Sequence, residues 1–316
     1  MSPGGVHVVS FGECMIELQG EAFGTMQQTY GGDTLNTAMY LARCGRSRGI
    51  RVSYATALGD DGLSAGLMQR WAAEGLGLGL VRRIAGRMPG LYLIEVDPAG
   101  ERRFSYWRDQ AAARAYFEVP AGATPLEQQA DAIDALYFSG ISLAILPPDA
   151  RERLWAVAAR LRARGAVVAF DNNYRPRLWP DKAVARAAFD RSVALASVAL
   201  LTLDDEVALH ADDGDAAAQL ARSLAAPCPE VVVKRGAQST LVRVGDAVPH
   251  EVPVQPAPRV VDTTAAGDSF AGAYLAARLS GADAATAAAA GNRLAGRVVQ
   301  HRGALIDPAA MADLVG

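Results

Sequence analysis

Asp262-Thr263-Thr264-Ala265-Ala266-Gly267-Asp268-Ser269-Phe270 follows a short β-branched run, Arg259-Val260-Val261. It opens a segment in which Phe270, Ala273, Tyr274 and Ala277 recur at helical spacing. The pattern predicts a strand that runs into a small-residue turn and then a helix. Small residues let the backbone approach a ligand closely, and the first amides of a helix have no internal partner. Those amides and the helix dipole together favour an anion. An acid at position 268 is poorly placed beside an anion unless it acts on something next to that anion. A hydroxyl beside a phosphoryl group fits. The stretch reads as a phosphotransferase site, with Asp268 as the base.

Outward from this turn the chain alternates strand and helix. Val6 to Phe11 is an apolar run ending at Gly12, and Asn36 to Arg43 carries a helical pattern. Leu136-Tyr137-Phe138, Ala166 to Phe170, Val198 to Thr202 and Glu230 to Lys234 read as strands, and Asp149 to Arg164 as a helix. The Ala-rich segment from Ala282 to Ala290 reads as a closely packed helix, and Pro249 to Pro258 as a loop leading into the last strand. Such alternation predicts an α/β fold with a mostly parallel central sheet between helical layers. Each strand ends in polar residues or glycine: Gly12-Glu13, Ser139-Gly140, Asp171-Asn172-Asn173, Asp204-Asp205-Glu206, Arg235-Gly236, and the opening turn. Ligands of open parallel sheets bind beyond the carboxyl ends of the strands, so these turns describe one cleft.

Gly90 to Val96 and Arg102 to Arg108 break the alternation, because they flank the turn signal Asp97-Pro98-Ala99-Gly100. A β-hairpin in a parallel-sheet protein projects from it as a flap. Phe104, Tyr106 and Arg108 share one face of such a strand. That face suits closure over a small anion; a half-buried strand with a surface Arg is the other reading.

The composition excludes several classes. With 316 residues and 51% hydrophobic content the chain has ample core, and a net charge of −3 gives no bulk attraction to nucleic acid or anionic membranes. Three scattered cysteines do not make a disulfide framework. No signal peptide or membrane-spanning run is visible, so a cytoplasmic location is expected. The four histidines fall in none of the motifs and receive no catalytic role. Neither a Gly-x-x-x-x-Gly-Lys-Ser/Thr loop nor Gly-x-Gly-x-x-Gly after the first strand is present, which excludes P-loop and Rossmann readings.

The opening turn, with several other stretches in order and spacing, resembles the C-terminal signature of the ribokinase-like sugar kinases of the phosphofructokinase B type. The resemblance runs from about Phe11 to about Ile306. It implies a three-layer ribokinase-like sandwich in a single domain over 1–316, with a small β lid from segments near 13–30 and 88–110. It also implies that the amides of Ala265, Ala266 and Gly267 form the anion hole and that Asp268 is the catalytic base. The substrate implied is a sugar or sugar acid, phosphorylated by ATP with Mg²⁺.

Gly31-Gly32-Asp33-Thr34-Leu35-Asn36 is a good helix N-terminus by itself; the resemblance makes Gly32, Asp33 and Asn36 sugar-binding. Asp171 to Trp179 resembles the Asp-x-Asn-x-Arg segment of keto-deoxy-sugar kinases and fructokinases. Arg175 is the candidate for a carboxylate or the transferred phosphate, because its planar fork makes paired bonds to either. Arg177 is assigned a structural ion pair. Arg108 joins Arg175 in orienting the substrate, and Tyr92 and Tyr106 wall it. The nucleotide is implied to meet Asn173, Lys234, Arg235, Gly236, Gly267 and Asn292. Glu206 is implied to act on the metal through water, although Leu203 stands where the family usually has Asn. Asp262 and Thr263 are candidates for a monovalent cation, and the lid for a homodimer contact. A fructokinase or other ketose kinase, and a non-catalytic sugar-binding sensor, are the alternatives.

Overall fold

The computed structural model describes residues 5–21, 23–96, 102–119 and 122–315. Its thirteen strands are β1 (Val6–Phe11), β2 (Met15–Gly20), β3 (Met26–Gly31), β4 (Ile50–Leu58), β5 (Val81–Arg83), β6 (Gly90–Val96), β7 (Arg102–Trp107), β8 (Ala135–Ser139), β9 (Val167–Asp171), β10 (Val198–Thr202), β11 (Glu230–Arg235), β12 (Gln238–Val244) and β13 (His250–Val252). The α-helices are α1 (Asp33–Gly45), α2 (Gly62–Ala73), α3 (Pro125–Gln128), α4 (Gly140–Ile145), α5 (Pro148–Ala163), α6 (Lys182–Leu195), α7 (Leu203–Leu209), α8 (Ala216–Leu224), α9 (Ala266–Leu279) and α10 (Ala284–Val298).

Nine strands form one sheet in the order β13-β12-β11-β10-β9-β8-β1-β4-β5. The pairings from β5 to β11 are parallel, and β12 and β13 add antiparallel at one edge. Side-chain alternation along the strands divides the core in two. Val8, Val52, Leu200 and Val232 face α1, α9 and α10, whereas Val9, Phe170, Leu201 and Val233 face α4, α5 and α6. The expected α/β sandwich is therefore the observed one, with both sheet faces covered.

The 13–30 and 88–110 segments contribute β2, β3, β6 and β7 to a separate four-stranded sheet, order β3-β2-β6-β7. Strands β6 and β7 pair antiparallel with Tyr92 opposite Tyr106, as the hairpin pattern predicts. The Asp97–Gly100 turn between them lies outside the described residues.

Two local expectations are corrected. Residues 259–261 do not form a strand: Val260 is exposed, and the amides of Val261 and Asp262 bond the carbonyl of Val299 at the end of α10 instead. The run Pro249 to Pro258 itself contains the last strand, β13 (His250–Val252), and its remainder leads straight into the α9 turn. The amides that a strand ladder would need at 261 and 262 are taken up by one helix-end carbonyl.

Candidate active site

The turn before α9 carries its residue at the helix start, Ala265, in the left-handed region (φ 60°, ψ 16°). For a non-glycine residue this conformation is costly, and such strain is often retained at functional turns. The turn leaves the amides of Ala265, Gly267 and Asp268 without a hydrogen-bond partner among the described residues. The Ala266 amide, expected in the anion hole, already bonds the Thr263 carbonyl at 3.2 Å, and the Ser269 amide bonds Ala265. Asp262 closes the turn from below, accepting from Thr264 and from the amide of Gly303.

Asp268 sits in the first turn of α9, half-buried, where α9 crosses α1. The crossing is close because Gly272 faces α1: a Cβ there would lie 2.7 Å from Cβ of Tyr40 and 3.0 Å from the Thr37 carbonyl oxygen. This contact brings Asn36 to the acid, and its Nδ2 donates to Asp268 Oδ2 at 2.8 Å. Thr37 donates to the Asp268 carbonyl (3.2 Å) and to the hydroxyl of Tyr137. The Asp268 carboxyl is pushed up to about 7, first by burial and then by the negative charge of Asp33, while the Asn36 bond opposes the rise. A carboxyl near neutrality suits a base at physiological pH.

Beyond Asn36, polar and aromatic side chains gather at the Gly31 turn. Gly31 opens toward the Tyr92 hydroxyl and the Oδ1 of Asn36, which is buried and has no partner. Tyr92 and Tyr106 stack at 5.8 Å, and Tyr106 stacks on Phe104 at 6.3 Å. Arg108 lies just past β7, buried, and donates to Glu13, whose carboxyl is raised chiefly by burial.

Lys234 at the end of β11 donates to Asp171 at 2.7 Å. Its Nζ lies 3.6 Å from where a Cβ on Gly267 would sit, so a buried cation faces the anion turn. Asp33 accepts from Ser139 (2.5 Å) and from Asn173 (2.7 Å). Asn173 itself adopts a positive φ of 27° at the end of β9. Free amides, an acid and a buried lysine converge as a phosphoryl-transfer site requires.

Residues 6–310 match the pfkB family carbohydrate kinase profile. The chain belongs to that family. It is 45% identical over 306 residues to a 2-dehydro-3-deoxygluconokinase of Escherichia coli (strain K12), covering 96% of this chain and 98% of that one. A 2-dehydro-3-deoxygluconokinase of Dickeya dadantii is 45% identical over 309 residues, with the same coverage. Among solved structures, a fructokinase from Xylella fastidiosa with bound ATP superposes with a TM-score of 0.81 at 23% identity, covering 98% of each chain. The three-layer fold is therefore that of the pfkB kinases.

Other sequence-predicted residues fall in distinct places around this kinase cleft. Arg175 is half exposed, bonded to its neighbour's carbonyl and 3.5 Å from Asp205. Burial raises the Asp205 carboxyl, with Asp171 adding to the rise and Arg175 and Lys234 opposing it. Arg177, expected in an ion pair, is exposed and has none among the described residues, because the 176–178 turn points it outward. Arg235 is bonded to Ser239 and Glu251 at the sheet edge. Gly236 turns β11 into β12 with φ 60°. Asn292 accepts from Thr240 and holds the carbonyls of Val252 and Pro253, so it supports the wall of a groove of about 280 Å³ lined by Pro253, Pro256, Arg293 and Gly296. Glu206 is buried and accepts from Asn172 at 2.9 Å. In the sequence, Glu13 and Ser139 stand only as polar strand ends and Asp171 as the start of the Asp-x-Asn-x-Arg segment, none with a role of its own, and Tyr137, inside β8, reads as part of an apolar run.

Proposed function

We propose that this chain transfers the γ-phosphoryl group of ATP to the 6-hydroxyl of 2-dehydro-3-deoxy-D-gluconate, giving the 6-phosphate. The reading rests on the two relatives at 45% identity, and on one geometric observation. Asp268 opens a helix from a turn with free amides, and its carboxyl is held by Asn36, whose other amide atom, Oδ1, is buried and unpartnered beside the Gly31 turn and Tyr92. Asp268 takes the proton of the attacking hydroxyl. The amides of Ala265, Gly267 and Asp268, with Lys234, face the phosphoryl oxygens as charge spreads over them. Positioning supplies the remainder, since the in-line geometry is set before reaction.

The sugar acid lies against Gly32, Asn36, Tyr92 and Tyr106. Its carboxylate meets Arg108, while Arg175 acts from the phosphate side. The adenine end of ATP occupies the groove beside Asn292. Asp205 and Glu206 open α7 at the strand ends, and no cluster of three metal-ligating side chains exists among the described residues. That donor set fits Mg²⁺ that keeps most of its waters and rests on phosphate oxygens. When bound, Mg²⁺ supplies charge neutralisation of the phosphates. A monovalent cation beside Asp262 and Thr263 belongs to the same proposal.

No helix among the described residues is long and apolar enough to cross a membrane. Cys14, Cys44 and Cys228 are buried and unbridged, in accord with a reducing, cytoplasmic setting. Exposed Phe104, Tyr106 and Trp107 on edge strand β7 support a homodimer through the lid.

A sugar panel with ATP, read as ADP release, tests the reading. The keto-deoxy acid is expected to exceed fructose and ribose in kcat/KM. Removing Arg108 should cost roughly 1.5–3 kcal/mol of acid binding. Preference for neutral fructose would overturn the substrate assignment, and Asp268→Asn with wild-type rates would overturn the base.

A further inference from the structure

The polypeptide crosses between the core and the four-stranded lid sheet at residues 12–14, at Gly31-Gly32, before Gly90, and after Trp107. Glu13 touches the other three crossings. A Cβ on Gly32 would lie 2.1 Å from the Glu13 carbonyl oxygen, and one on Gly90 would lie 2.8 Å from Glu13 Oε1. The other carboxylate oxygen, Oε2, accepts from Arg108 Nη2. The side chains of both partners are almost wholly buried, at 2% and 9% exposure. Yet Glu13 Oε1 and Arg108 Nε have no partner.

A buried ion pair with two unmet polar atoms is a poor stabiliser compared with apolar packing. Its placement is better explained by what it orients. Arg108 has a long, rotamer-rich side chain beside the aromatic wall formed by Tyr92 and Tyr106. One acceptor on the core side of the hinge fixes one end of its planar fork and leaves the remaining N–H groups for a ligand.

We infer that Glu13 is a positioning residue for sugar-acid binding: it anchors the Arg108 guanidinium at the point where all four lid crossings meet. The inference rests on the proposed contact between Arg108 and the substrate carboxylate. Glu13 touches neither the phosphoryl group nor the reacting hydroxyl. Its loss therefore weakens capture of the acid and spares the chemical step. The acceptor oxygen matters more than the charge, because a Gln amide keeps an oxygen for Nη2 and places a neutral NH2 in the slot beside Gly90.

Steady-state kinetics of the full-length protein test this with 2-dehydro-3-deoxygluconate and ATP. Glu13→Ala is expected to raise KM for the acid at least tenfold, with kcat within threefold and KM for ATP unchanged. Glu13→Gln should restore most of the affinity. In an Arg108→Ala background, Glu13→Ala should add nothing, which a purely structural role would not produce. If Glu13→Ala does not fold, Glu13→Asn, too short to reach Nη2, is read by the same criteria. A KM within twofold of wild type for the alanine variant, or an equal loss in the Arg108→Ala background, overturns the inference. An unchanged KM in Arg108→Ala removes both this inference and the acid contact; a raised KM there with an unchanged one in Glu13→Ala removes the Glu13 assignment alone.

Discussion

At the residue scale, the Asp268 carboxyl at about 7, against an ordinary 3.8, makes turnover and stability respond oppositely to pH. A base must be deprotonated, so kcat/KM is expected to fall as pH drops below about 7, with one acid limb. The Asp33 charge contributes to the rise, so Asp33→Asn should move that limb toward lower pH, whatever it costs in rate; a pH–rate series of both proteins checks the direction. Stability runs the other way. A carboxyl whose folded pKa exceeds its unfolded value favours the folded state fully below pH 3.8, and that contribution is lost as pH rises through about 7. Asp268→Asn should therefore stabilise the protein at pH 8 and not at pH 4. Discounted for solvent reaching a half-buried side chain, the gain is about 1–2 kcal/mol. Thermal melts at the two pH values decide it. The acid itself was evident from sequence, because a carboxyl after a small-residue turn has few structural uses. Its partners were not. The Asn36 bond and the Lys234–Asp171 pair join residues 232 and 63 positions apart, and no local pattern encodes such pairings.

At the scale of elements, the proposed base, Asp268, is placed by a helix crossing rather than by its own turn. Gly272 allows α9 to lie against Tyr40, Leu41 and Thr37 of α1. Gly272→Ala puts a methyl 2.7 Å from the Tyr40 Cβ, closer than side-chain carbons pack, so the helices must separate. Overpacking of this kind costs about 1–3 kcal/mol. The same separation lengthens the Asn36–Asp268 bond, so kcat should fall severalfold while KM for ATP holds. Melting temperature and kcat measured together check the coupling; a destabilised variant with unaltered kcat would show that the crossing does not set the base. Helix α9 was readable from its spacing of Phe270, Ala273, Tyr274 and Ala277, all buried against the core. Strand β4 was not. Its sequence, Ile50 to Leu58, mixes Arg51, Ser53 and Thr56 with Ile50, Val52, Tyr54 and two alanines, and only its place between β1 and β5 reveals a central strand. The run 259–261 failed in the opposite direction: its β-branched residues suit a strand, but the amides of Val261 and of the following Asp262 bond Val299 at a neighbouring helix end.

For the whole molecule, charge poses the governing question. The chain carries a net −3, and its cleft gathers Glu13, Asp33, Asp171, Asp205, Glu206 and Asp268 against Lys234, Arg108 and Arg175. All three cations already face carboxylates, Lys234 with Asp171, Arg108 with Glu13, and Arg175 with Asp205 at 3.5 Å. A nucleotide with several negative charges therefore enters a site with little free positive charge beyond the helix amides. Coulomb repulsion between unit charges a few ångströms apart reaches about 4 kcal/mol at an effective dielectric of 20. Divalent charge accompanying the phosphates must offset it. ATP is accordingly expected to bind at least tenfold more weakly with EDTA than with Mg²⁺, and turnover should fall at least a hundredfold. Asp205→Asn removes one opposing charge near Lys234. It should narrow the EDTA penalty on ATP binding while lowering turnover with Mg²⁺. Calorimetric titration of ATP into both proteins, with and without Mg²⁺, reads the first effect. An identical penalty in the variant would show that Asp205 does not face the phosphates.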